Sequence, residues 1–140
     1  MTTNPKLSAI SAESCRCALG ACKATLDAVR VQDHRLATSE TRKAAIAAHE
    51  VAVSGVAAME ALLDAMREVA RKAALIVPAL DVATRAQTSD TKMAVETLVE
   101  EAFKQATIAN EAAIDANMVS DFVKASCLAT FSATIASIKN

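Results

Sequence analysis

Four cysteines and two histidines are the side chains of this 140-residue chain best suited to chemistry, and their spacing limits what they can do. Cys15, Cys17 and Cys22 fall in one short stretch, and Cys127 stands far from them. A metal site needs ligands that converge on one point. On a helix Cys15 and Cys17 point to nearly opposite sides. Cys15 and Cys22 share a face but lie two turns apart, too far for one zinc ion or one disulfide. The spacing predicts small buried hydrophobes in a reducing compartment, with a redox or intermolecular-disulfide role at Cys15 or Cys17 as the alternative.

The stretch Ala47-Ala48-His49-Glu50-Val51-Ala52-Val53-Ser54-Gly55 resembles the phospho-acceptor helix of histidine phosphotransfer domains, four-helix proteins with one exposed histidine in mid-helix. The resemblance implies phosphoryl transfer with His49 as acceptor. The stretch departs from that pattern at three points. No Lys follows His49 within a turn, Gly55 sits too far along to clear an approach for a partner, and Glu50 would repel an incoming phosphoryl group. His34, in Asp33-His34-Arg35, is read as held by its charged neighbours and the dipole of a nearby helix end.

Carboxylates offer no better site. Ferritin-like metal centres use Glu-x-x-His, and Val31 and Ile46 occupy the positions where Glu would precede His34 and His49. Two glycines cannot build phosphate-cradling loops, and the chain has no nucleophile elbow and no dinucleotide fingerprint. The expectation is a protein without enzymatic activity, resident metal or cofactor.

Fifteen basic against sixteen acidic residues leave a formal charge of −1, and Phe103, Phe122 and Phe131 are the only aromatic side chains. Nucleic-acid binding is not expected from so even a charge balance with so few stacking platforms. Glu13 and Arg16 interrupt any early apolar run, so no secretory signal is read, and Leu19-Gly20-Ala21-Cys22 is a chance match to a lipoprotein box. The uncharged stretch from Ala125 to Ile138 is too short to span a bilayer. A soluble, cytoplasmic protein without a transmembrane segment is expected.

The elements that would position these residues are helices. The chain holds 33 alanines but only two glycines and two prolines, a balance that favours few, long helices. Asn4-Pro5 reads as a helix start, with the helix running to about Leu36 and burying two sides: Cys15, Ala18, Cys22, Val29 and Leu36 on one stripe, Ile10, Cys17, Ala21, Ala24, Ala28 and Val31 on another. A tight turn is expected at residues 37–40. The next helix, from about Ser39 to Ile76, carries apolar residues alternately three and four apart: Ala45, Ala48, Ala52, Gly55, Met59, Leu62, Met66, Val69, Ala73 and Ile76. Its outer face is charged, with an acid-before-base pair at Glu68 and Lys72. Pro78 should end or kink it. Ser89-Asp90 reads as the next cap, and the pattern resumes at Thr91, with a break expected at residues 117–121 and Ser120 as its cap.

The expected architecture is all-α, one domain over residues 1–140, a long-helix antiparallel bundle of three or four helices with coiled-coil-like Ala-rich seams. Ala45, Ala48, Ala52, Gly55, Met59, Leu62, Met66 and Val69 are the candidate helix-packing or oligomer interface. Two apolar sides per helix exceed what a small bundle covers by itself, so the expected function is structural: self-association into a homo-oligomer or polymer, or docking on another helical protein. The Ala-rich, Trp-free composition and the stretch from Met59 to Ala74 also resemble phasins, bacterial proteins that coat polyester granules, which implies an amphipathic coat on an apolar surface. Met93-Ala94, Leu98 and the Ala-Asn run through Asn117 look like the ribbon-forming subunits of bacterial R-bodies, apart from the charges between Glu96 and Lys104.

Overall fold

The computed structural model describes residues 6–139, and among them the chain is all-helical, with no strand. Helix α1 is Leu7–Arg30, α2 is His34–Arg85 and α3 is Ser89–Lys139. The expected start at Asn4-Pro5 lies outside the described residues.

The first turn is not at residues 37–40 but at Val31, Gln32 and Asp33, six residues earlier. Gln32 adopts a left-handed φ of 59°. Its N–H donates to the Val29 carbonyl at 3.1 Å, and that of Asp33 donates to Ala28 at 2.9 Å. That pair of bonds is a Schellman ending, which usually carries glycine at the left-handed position. Asp33 then starts α2: its Oδ1 accepts the Leu36 N–H at 3.0 Å, a side-chain cap for the new helix. His34 is accordingly the first residue of α2 rather than a residue at a C-terminal end.

Pro78 lies inside α2, which continues through residues 79–85 instead of stopping. Proline removes the bond to the carbonyl four residues back, but Ala74 and Pro78 are both exposed, so the lost bond falls on a solvent-facing side of the helix. Helix α3 is capped by Thr88, one residue before the expected Ser89-Asp90. The Thr88 Oγ1 accepts the Thr91 N–H at 3.3 Å, and Thr91 Oγ1 accepts the Thr88 N–H at 3.2 Å, a reciprocal box with threonine in place of the usual acid. No break occurs at residues 117–121. Asn117, Ser120 and Asp121 are exposed and Val119 is fully buried, so the polar residues decorate a continuous helix. Helix α3 runs unbroken for 51 residues, close to the 52 of α2.

The chain divides into two compact units, Met1–Ala58 with Asp115–Asn140, and Met59–Ile114. In the first, all three helices meet around Ala21, Cys22, Ala44 and Ala133, with Ala129 packed against them. Its interior is made of small side chains: Ser8, Ser11, Cys15, Ala18, Cys22 and Thr25 repeat alternately three and four apart along α1. Ile10 and Cys17, expected inside, are exposed. Helix α1 has no acid in its first turn and no side-chain cap of its own. Asp115 of α3 supplies one, accepting the Ser8 N–H at 3.1 Å. The second unit is the hairpin of the second half of α2 and the first half of α3. Among its residues, all described, Ala65 alone is buried.

Candidate functional site

The eight candidate interface residues lie on α2 in two groups. Ala48 is buried, and Gly55, Leu62 and Val69, at seven-residue intervals after it, are half-buried. Ala45, Met59 and Met66 are exposed, and Ala52 is half-buried. Ala44, Val51 and Ala58 alternate with Ala48 and Gly55 inside the first unit, each one residue before an expected one, and Ala37 lies seven residues before Ala44. Alanine wins these positions because the helices approach closely: a Cβ on Gly55 would lie 3.0 Å from Val123 Cγ2 and 3.8 Å from Val119 Cγ1. Gly55 is therefore a packing residue of α2 against α3.

Ala45, Ala52, Met59, Met66, Ala73 and Leu80, with Val56, Leu63, Ala70 and Val77 between them, form a second stripe on α2. From Ala52 onward its members lie alternately three and four apart and none is charged, while His49 stands between Ala45 and Ala52. Except for the half-buried Ala52, all are exposed; Met59 keeps 58% of its surface in contact with solvent and Met66 56%. The three-and-four spacing merged this stripe with the inner one, because both follow the same helical period. On the other side of α2, Glu68 is bound by Arg71 through bonds of 2.7 to 2.9 Å, rather than by Lys72. The Arg71 hydrogen bond, together with the positive charges of Arg71 and Lys72, holds the Glu68 carboxyl below its ordinary value.

The reactive side chains do not converge. Cys15 and Cys22 are buried, Cys17 is exposed and Cys127 is half-buried, and all four are free thiols. The Cys22 sulfur lies 3.6 Å from Thr130 Oγ1, and burial raises the Cys15 thiol above its ordinary pKa of 9.0. His49 is exposed on α2. Its neighbour Glu50 accepts a 3.4 Å bond from Ser14 Oγ of α1. Among the described residues no group of three His, Cys, Asp or Glu side chains is placed to hold a metal ion. Helix α2 contains an 18-residue window of mean hydropathy 1.4, only 22% of it buried, which is long and apolar enough to cross a membrane by length and composition. Comparison with protein families, with curated proteins and with solved structures finds no match.

Proposed function

We propose that this chain is a non-enzymatic, cytoplasmic structural protein that self-associates through its alanine-lined helices, using the outer stripe of α2. One observation carries this reading: the apolar surface left uncovered. The chain exposes 9450 Å². A compact monomer of this length is expected to expose ~6,900 Å², so the excess, polar and apolar atoms together, is about 2,500 Å². The second unit holds much of the uncovered apolar surface, with Met59, Leu63, Met66, Val77, Met93 and Phe103 each close to half exposed or more. Patches of this kind mark association surfaces. Sedimentation equilibrium across a wide concentration range tests the reading. An assembly heavier than one chain is expected, and a single-chain mass at the highest concentrations would sink it.

A second reading, an amphipathic coat on an apolar surface, draws its support from the apolar window in α2. Flotation with lipid droplets separates the two: a coat protein floats as a monomer, whereas a self-associating protein stays in the dense fractions as an oligomer.

A further inference from the structure

We propose that the partner on the outer stripe is a second copy of this chain, its α2 lying antiparallel to the first across Met59, Leu63, Met66 and Ala70, with Glu60 of each copy opposite Arg67 of the other. This rests on the self-association reading and names its surface and register. Between Met59 and Ala70 the stripe is two positions wide at each turn, the width of a helix-on-helix seam; a helix lying on an apolar surface needs a broader apolar arc. Along one edge of it stand Glu60 and Arg67, seven residues apart and opposite in sign. Arg67 has only an exposed 3.6 Å pair with Asp64, and Glu60 makes no ion pair among the described residues.

Antiparallel packing converts that arrangement into complementarity. With Leu63 opposite the partner's Met66, Met59 meets the partner's Ala70, a large side chain against a small one. The same register brings Glu60 to the partner's Arg67 and, by the twofold axis, Arg67 to the partner's Glu60. Parallel packing would stack Met59 on Met59 and Ala70 on Ala70, and would leave both charges without partners. The four apolar residues and the two charged ones all belong to Met59–Ile114, so the contact is complete within one unit.

The test is a charge reversal read by sedimentation, with helicity followed by circular dichroism. Glu60→Arg sets like charges against each other at two symmetric places and should weaken association roughly tenfold. Adding Arg67→Glu to it should restore the wild-type constant. If Glu60→Arg does not fold, Arg67→Glu alone makes the same test. Unchanged association in the single variant, or no recovery in the double one, overturns this interface while leaving self-association standing. A wild-type chain that stays monomeric in solution and binds phosphatidylcholine vesicles overturns both.

Discussion

Gly55 of α2 and Val123 of α3 meet so closely that a methyl group on the glycine would sit 3.0 Å from the valine Cγ2. Valine has no flexible end to swing aside, so the helices or the Val123 rotamer must shift. Gly55→Ala gains about 1 kcal/mol of helix propensity. It costs about 1–3 kcal/mol in overpacking, so a net loss on the order of 1 kcal/mol is expected in urea denaturation. A stability gain would show that the helices separate freely there.

Ser11 presents the opposite case. Its hydroxyl is fully buried in α1 and has no hydrogen-bond partner among the described residues. Removing an unsatisfied buried hydroxyl recovers its desolvation penalty, so Ser11→Ala should raise stability by about 1 kcal/mol. A thermal melt that moves downward by several degrees would contradict this and point to a bond that the side chain makes in solution.

The buried thiol of Cys15 makes stability depend on alkaline pH. Its pKa is raised in the folded state, so the fold binds that proton more tightly than the open chain does. The stabilisation from this group is full below the ordinary thiol value of 9.0 and is lost as pH rises above it through the folded value. Cys15→Ala should therefore lose less stability than the wild type as pH rises from neutral to above the ordinary thiol value of 9.0, the difference being measured by denaturant titration at each pH. Exposed Cys17 should react first with a thiol reagent, while Cys15 and Cys22 are protected until unfolding.

Pro78 sits inside α2 on an exposed face. Restoring an N–H there lets the helix close its missing bond to Ala74. Pro78→Ala should add about 2–3 kcal/mol of helix stability, seen as slower amide exchange from residues 79–85. Exchange no slower than in the wild type would mean that this end of α2 opens independently of its internal bonds.

The helical class was legible because composition alone argues for it: 33 alanines with two glycines and two prolines leave few places to stop. The stops themselves were legible only where local chemistry follows the usual residues. Thr88 differs by one position from the expected cap. The first turn was missed because Gln32 occupies a left-handed position that glycine normally marks. Asp115 caps α1 from 107 residues away, a relationship no local pattern carries. Of the candidate interface, Ala48 and Gly55 were placed on packed positions, while Met59 and Met66 stand outside. Spacing reveals that a helix has stripes, but two stripes offset by one residue share the same period, and only the neighbouring helix decides which is covered.

Ala44, Ala133, Ser11, Thr25 and Ser126 fill the interior where many proteins place leucine and phenylalanine, while Leu19, Leu26 and Phe131 remain at the surface. Unfolding a single chain therefore wets little new hydrocarbon, and its heat-capacity increment should fall below the ~12–15 cal/mol/K per residue common to globular proteins. The stability curve flattens as that increment shrinks, so this protein should lose little stability between 5 and 40 °C and resist cold denaturation, whatever its midpoint on heating.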